Sequence, residues 1–491
     1  MKYIPDKGRP FDEILSDLET FGLDDPSYKE ARTWSLVYYL NAEYTEFLQN
    51  AYGKYFSANG LNPTAFLSLK RLEKDILRYT AELLHVDENA AGVVTSCGTE
   101  SCMLAVKTYR DIGRKKGIKK PEMILPDTAH VAWDKGAEYF NVKIRRASLA
   151  EDMAVDINAV EKMINKNTVM ILGSSPEYPH GIIDPIEELG ELAQKYNVPL
   201  HVDACVGGYI LPYLEKLGVS LPKWDFRVPG VTSMTADIHK YGYAAKGASC
   251  ILYRDLQTFK HQVFVQQDWP GGIFASPAFL GTRPGGAYAA AWAAIQANGI
   301  EGYTELAKKT LRATNRLKKG IEKIEGLKLY GDPKASLLAY HSTEPAINIF
   351  VVGKVMLDKG WHLDCLQRPD GIHAMVTASH TDEIVDKYLE DLAEAVKTAK
   401  AHPELADKGA AATYGMASHL PMRKMVKKEI LNMFANSYRL NAKELDLENA
   451  SEEMGGEEDG DDADSNSMPS FVTKIINWYV KRKSSKANKS K

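Results

Sequence analysis

At 491 residues the chain is long for one domain, and its 44% apolar and 26% charged fractions are those of a soluble globular protein built as two or three units around a large core. The formal net charge of −4 resides in the tail: Glu444 to Ser467 carry eleven acidic residues and no Lys or Arg, and Met468 to Lys491 carry seven basic residues and no acids. The body up to Lys443 is therefore neutral, which excludes nucleic acid as an expected partner, and no apolar stretch approaches the eighteen or so residues of a membrane span.

The start, Met1-Lys-Tyr-Ile-Pro-Asp-Lys7, lacks the apolar core of a signal peptide, so a cytoplasmic protein is expected. Residues 1–75 read as a helical segment, with Phe11, Ile14, Leu15, Leu18 and Phe21 at helical spacing. Trp34–Tyr39 and Asn59–Phe66 break that periodicity, and a helix is predicted over Ser68–Leu84. From about residue 90, short β-branched runs alternate with helices: Gly92–Ser96, Glu122–Leu125, Val142–Ile144, Val169–Gly173, Val198–Val202, Val231–Met234 and Ala248–Leu252. Seven such runs predict a mostly parallel, buried seven-stranded sheet in a large α/β domain, 76–300. A smaller α+β domain, 301–443, is expected to hold strands near Ala346–Val352 and Ile372–Thr377 and helices over Asp382–Ala401 and Leu420–Phe434. Residues 444–491 form an acidic linker, poor in apolar groups and expected to be disordered, and a basic tail. The five cysteines, Cys97, Cys102, Cys205, Cys250 and Cys365, show no metal-ligand spacing, so reduced thiols and no metal are expected.

In an open parallel sheet, ligands gather at the carboxyl ends of the strands. Several chemically capable residues fall just past predicted strand ends: Cys97-Gly-Thr-Glu-Ser101, His130, Tyr178, Asp203 and Lys240. A strand followed by Gly98-Thr99 and a helix serves either as an N-cap or as a phosphate cradle, because the first N–H groups of a helix lack partners. Asp203, in His-Val-Asp-Ala204, stands where a carboxylate can pair with a protonated heterocycle. Lys240, after His239, can become a Schiff-base amine in a desolvated pocket. These three parts together are what a pyridoxal 5'-phosphate enzyme requires, with His130 as the ring to lie over the pyridine.

Taken jointly, Thr95–Ser101, Thr128-Ala-His130, Tyr178-Pro-His-Gly-Ile-Ile-Asp-Pro185, His201–Ala204, Asp237–Gly247, Asp268–Ile273 and Gly360–Gln367 with Gly371-Ile-His373 resemble the sphingosine-1-phosphate lyase family. That family lies among the fold-type-I pyridoxal-phosphate decarboxylases. The resemblance covers residues from about 30 to about 400. It implies the fold-type-I transferase fold, with Lys240 binding the cofactor, His239, Gly98 and Thr99 holding its phosphate, Asp203 on the pyridinium nitrogen and His130 on the ring. It further implies Thr282 reaching a cofactor phosphate in a partner subunit of an obligate homodimer, Tyr178 near the reacting centre, and Tyr38 and Lys246 on the substrate's phosphate. Two positions depart from the family: Asn62 replaces a phosphate-binding His, and Trp34-Ser35 replace a Ser-Gly pair, which is expected to reshape the entrance.

The leading expectation is retro-aldol cleavage of a phosphorylated long-chain base by Lys240, Tyr178 and His130 as candidate proton carriers. The alternative is α-decarboxylation of an L-amino acid, with Lys246 on a carboxylate; a non-catalytic cofactor-binding scaffold is the third. In the tail, Phe471, Ile475 and Tyr479 share a helical stripe and Trp478 precedes Lys481-Arg-Lys483, the pattern of an interfacial helix on an anionic membrane. Deleting residues 468–491 is expected to lower co-sedimentation with anionic liposomes; unchanged co-sedimentation refutes membrane contact by this segment.

Overall fold

The computed structural model describes residues 4–407, except 24 and 63, and parts of 427–440. The acidic linker, the basic tail and most of the helix expected over Leu420–Phe434 lie outside the described residues. No helix among the described residues is long and apolar enough to cross a membrane.

The central sheet contains β1 (Ala91–Thr95), β2 (Glu122–Pro126), β3 (Lys143–Ala147), β4 (Thr168–Ser174), β5 (Leu200–Asp203), β6 (Val231–Ala236) and β7 (Ser249–Tyr253). Their order is β1-β7-β6-β5-β4-β2-β3, and β7 alone is antiparallel to its neighbours. The seven β-branched runs of the sequence are these seven strands. They are legible because a sheet covered by helices on both faces demands apolar side chains on both; β2, β4, β5 and β7 are buried throughout. Since every strand except β7 runs one way, the carboxyl ends of β1, β2, β4, β5 and β6 share one edge.

A hairpin, β8 (Phe264–Gln266) with β9 (Phe274–Ser276), leads into the long helix Gly285–Ile321, kinked at Gly299. The small unit follows, with antiparallel order β10-β11-β13-β12, where β10 is Leu327–Leu329, β11 Leu337–Ser342, β12 Asp364–Leu366 and β13 Gly371–Met375. Here one prediction fails. The run Ile349-Phe-Val-Val352 is not a strand but the start of a helix, Ile349–Asp358. Its start is set by Asn348, whose side-chain oxygen accepts from the amides of Phe350 and Val351. The strand in this region is β11, upstream. The helix Asp382–Ala401 forms as predicted, capped by Thr381.

The expectation that Trp34 reshapes the entrance is also corrected. Trp34 is fully buried in the core of the small unit, stacked on His380 at 4.2 Å and lying 4.5 Å from Tyr388. Its backbone bridges the same unit: Trp34 N–H donates to His362 O at 3.1 Å and Met375 N–H donates to Trp34 O at 2.8 Å. Emptying a site this tightly filled removes contacts that neighbours cannot restore by collapse. Trp34→Ala is expected to destabilise the protein by about 3–5 kcal/mol in chemical denaturation, whereas Leu36→Ser, at a residue 66% exposed, is expected to leave the midpoint nearly unchanged.

Candidate active site

Each loop leaving the shared edge of the sheet delivers one of the candidate residues. β1 runs into Cys97 and the helix Gly98–Lys115. Cys97 makes no side-chain cap, so the amides of Gly98 and Thr99 start a helix without intrahelical acceptors. Glu100 is spent elsewhere: its carboxylate accepts from Ser96 N–H and Oγ–H, each at 2.7 Å, and from Phe279 N–H at 2.9 Å.

β6 ends at Ala236, and the turn after it packs Asp237 against that helix start. A Cβ on Gly98 would stand 2.7 Å from Asp237 Oδ2 and 2.9 Å from Cys205 Sγ, so only glycine fits. Asp237 is buried; its Oδ2 accepts from Lys240 Nζ at 2.9 Å and lies 3.8 Å from His239 Nε2. Its Oδ1 is buried without a hydrogen-bond partner. Burial opposes charge on Asp237, but Lys240 and then His239 outweigh it and hold its pKa below the usual carboxylate value. For Lys240 too, burial opposes the charge, and Asp237 overrides it, keeping the ammonium protonated above its ordinary range. His239 is fixed by Nδ1 on Ala248 O at 2.5 Å.

Asp203 ends β5. Trp133 Nε1–H donates to its Oδ2 at 2.9 Å, and Cys205 N–H and Thr235 Oγ1–H donate to its Oδ1 at 3.0 and 3.2 Å. Burial would raise its pKa, but hydrogen bonds from Cys205 and Trp133 more than compensate, so Asp203 stays ionised inside the protein. His130, past β2, opens its ring to the cleft and accepts from Ala132 N–H on Nδ1 at 3.1 Å. That places its proton on Nε2. Burial lowers its pKa despite the charge of Asp203, leaving a neutral imidazole.

Tyr178, past β4, donates to Asp364 Oδ2 at 2.8 Å, stacks on His373 at 4.4 Å and meets the edge of His130 at 5.8 Å. Lys246 lies over the ring of Tyr38 at 5.1 Å and donates to Leu36 O at 2.8 Å. Burial, then the charge of Lys240, lowers its pKa to about 8. The hydroxyl of Tyr38 donates to Met375 Sδ at 2.7 Å.

Lys240, His239, Gly98 with the adjoining Thr99, Asp203, His130, Tyr178, Tyr38 and Lys246 thus form one connected group, each touching or electrostatically influencing another. Asn62 and Thr282 are held elsewhere in the chain. Asn62 accepts from the amide and hydroxyl of Thr64, at 2.9 and 2.7 Å, and Thr282 accepts from Asn59 Nδ2 at 3.3 Å. Both sit on loops clamped by Arg283, whose guanidinium donates to Gly60 O and to buried Glu73.

Sequence reasoning missed Asp237 as more than a motif position, and missed Trp133, Asp364 and the approach of Cys102 and Cys205 to Asp203. Cys102 Sγ–H donates to Asp203 Oδ2 at 3.7 Å, and the three side chains pack in one buried group. These pairings depend on how helices and the two sheets pack, which spacing along the chain does not carry.

The donor set fits pyridoxal phosphate: unpartnered N–H groups at a helix start, an ionised buried carboxylate, and a lysine within the charge field of both. Residues 46–342 match the pyridoxal-dependent decarboxylase conserved domain. The protein is a pyridoxal-phosphate-dependent lyase of the decarboxylase superfamily. Among relatives, the sphingosine-1-phosphate lyase of Oryza sativa subsp. japonica is 42% identical over 425 residues, 85% of this chain and 78% of that one. Sphingosine-1-phosphate lyase 1 of Rattus norvegicus is 42% identical over 439 residues, 89% of this chain and 77% of that one. The solved sphingosine-1-phosphate lyase of Burkholderia pseudomallei superposes with a TM-score of 0.80 at 34% identity, covering 88% of this chain and 97% of that one. Lactobacillus brevis glutamate decarboxylase, at 23% identity and a TM-score of 0.71, shares the fold. The chain belongs to the sphingosine-1-phosphate lyase family.

Lys240→Ala is expected to abolish the visible absorption of the lysine-bound cofactor in the purified protein. Gly98→Ala, which drives a methyl group into Asp237 and Cys205, is expected to weaken cofactor binding by about tenfold or more, read by titrating apoprotein with pyridoxal phosphate while circular dichroism reports an intact fold.

Proposed function

We propose that the protein cleaves a phosphorylated long-chain base between C2 and C3, releasing a fatty aldehyde and phosphoethanolamine. The observation that carries this reading is Lys246: six residues beyond Lys240, it sets a second cation at the same cleft, held against Tyr38 and Leu36 O. The substrate named for the relatives is a phosphate monoester, which needs such a cation. Asn62, whose amide carries no charge, does not replace that cation.

Bound pyridoxal phosphate supplies the electron sink into which the C2–C3 bond opens. Asp203, buried and ionised, would hold the proton of its ring nitrogen, His130 would lie against the ring, and His239 with the Gly98 and Thr99 amides would hold its phosphate. Lys246 binds the substrate's phosphate. Lys240, Tyr178 and His130 face the reacting end, where one takes the proton of the C3 hydroxyl and a proton is returned to C2. The reading includes a homodimer in which Thr282 reaches the partner's cofactor phosphate. The exposed apolar residues Phe264, Val265, Trp269, Ile273 and Phe279, beside the Thr282 loop, support this.

The depressed pKa of Lys246 makes a signed prediction. Below about 8 its ammonium is charged and attracts the phosphate; as pH rises through that value the charge is lost. On phosphorylated substrate, kcat/KM is expected to fall across this range, and Lys246→Met is expected to lower it about 10- to 100-fold at neutral pH and flatten this limb. Release of a fatty aldehyde from a phosphorylated long-chain base tests the reaction itself; release of carbon dioxide from amino acids instead assigns the decarboxylase alternative.

A further inference from the structure

We propose that Asp364 is a positioning residue of this site: it commits the only hydrogen of the Tyr178 hydroxyl, so that the phenol presents its oxygen to the substrate as an acceptor. The inference rests on the lyase reading and deepens it.

A tyrosine hydroxyl has one hydrogen to donate and lone pairs to accept with. Tyr178 gives its hydrogen to Asp364 Oδ2 at 2.8 Å. What remains for a molecule in the cleft is the oxygen, which suits a donor at the reacting end of the substrate, its amine or its C3 hydroxyl. The ring is fixed as firmly as the hydroxyl. It stacks on buried His373 at 4.4 Å with planes 29° apart, and His373 Nδ1 donates to Pro179 O, the residue after Tyr178, at 3.0 Å.

Asp364 and His373 are cross-strand partners in the β12–β13 register. One rung of the small unit's sheet therefore grips a loop of the large unit's sheet, one side chain on the hydroxyl and the other on the ring. A third strand holds the loop's far end. Gly181, at φ +80°, packs so closely on β11 that a Cβ would lie 2.1 Å from Leu337 O. Tyr178 thus cannot swing away from Asp364 without lifting the loop from three strands.

Among the described residues, the charged and titratable groups facing Tyr178 include Asp364, His373, His130, Lys240 and Tyr38. Burial and then Asp364 raise its pKa above the ordinary tyrosine value, so it works as a neutral phenol. Asp364 also faces His373, its cross-strand partner, so the part of its effect that passes through the Tyr178 hydroxyl is isolated by comparing its removal with and without that hydroxyl.

The test is a double-mutant cycle on the holoenzyme. Asp364→Ala is expected to lower kcat about tenfold with KM within about twofold, Asp364→Asn, which can still accept, to restore most of that loss, and either change in a Tyr178→Phe background to cost less than about twofold. Full, additive losses in that background overturn the proposal, because a merely structural aspartate costs the same whether or not the hydroxyl is present. An activity-independent reading accompanies it: with 3-fluorotyrosine at position 178, the ionisation midpoint followed by fluorine NMR is expected to fall in Asp364→Asn, and an unmoved midpoint overturns the proposal. A wild-type enzyme that releases no aldehyde refutes the lyase reading by itself, and the fluorine titration still decides the role of Asp364.

Discussion

A buried carboxylate must be paired, and Asp237 is the one whose pairing organises this protein. It is 2% exposed, and it lies where the turn after β6 meets the first turn of the helix Gly98–Lys115. Leaving such a charge uncompensated costs several kcal/mol, so the structure surrounds it with Lys240, His239 and the positive end of a helix. Each of these is also a group that an anionic cofactor needs. The fold's solution to one buried charge thereby gathers a lysine amine, an imidazole and the amides of a helix start in one place. Gly98 follows from the same constraint, since any side chain there would displace the carboxylate.

Asp203 solves the same problem by a different route. It has no cation in direct contact and is kept ionised by neutral donors, Trp133 Nε1–H, Thr235 Oγ1–H and its own loop amide at Cys205. A carboxylate stabilised this way retains its charge for a partner that arrives later, whereas one already neutralised by a lysine has less to offer. The difference between the two aspartates, one paired with a lysine and one kept ionised by neutral donors and so able to pair with a protonated ring on the proposed reading, is set by which strand each follows.

Much of this was legible in the sequence, for a physical reason. A parallel sheet buried on both faces leaves continuous β-branched runs, and polar residues just beyond them stand out, so β1 to β7 and Lys240, Asp203, His130 and Tyr178 could be read along the chain. The small unit was harder. Ile349–Val352 has the composition of a strand, and the capping oxygen of Asn348 decides for helix; β11, with Ala339, Tyr340 and His341, lacks the composition that marks the others. Trp34 was expected at the entrance because, with Ser35, it replaces the small Ser-Gly pair that the family carries before the tyrosine at the position of Tyr38, yet a single chain reversal at Leu36, where φ is +66°, sends the two rings into different cores. Partners such as Trp133 with Asp203, or Asp364 with Tyr178, join residues 70 and 186 positions apart, and only the packing of elements distant in the chain brings them together.

The same logic bears on the substrate. Asn62 carries no charge, so on the proposed reading the cation left for the substrate's anionic group, beside the cofactor's Lys240, is Lys246. That lysine is poised rather than permanent. Burial and the nearby Lys240 bring its pKa to about 8, so an anion entering the cleft both finds the ammonium and stabilises it. A dianionic phosphate restores the charge more strongly than a carboxylate at the same distance, because attraction scales with the charge it meets. On the proposed reading, Lys246 would favour a phosphorylated base over an amino acid, and its cation–π contact with Tyr38 fixes the position of the ammonium.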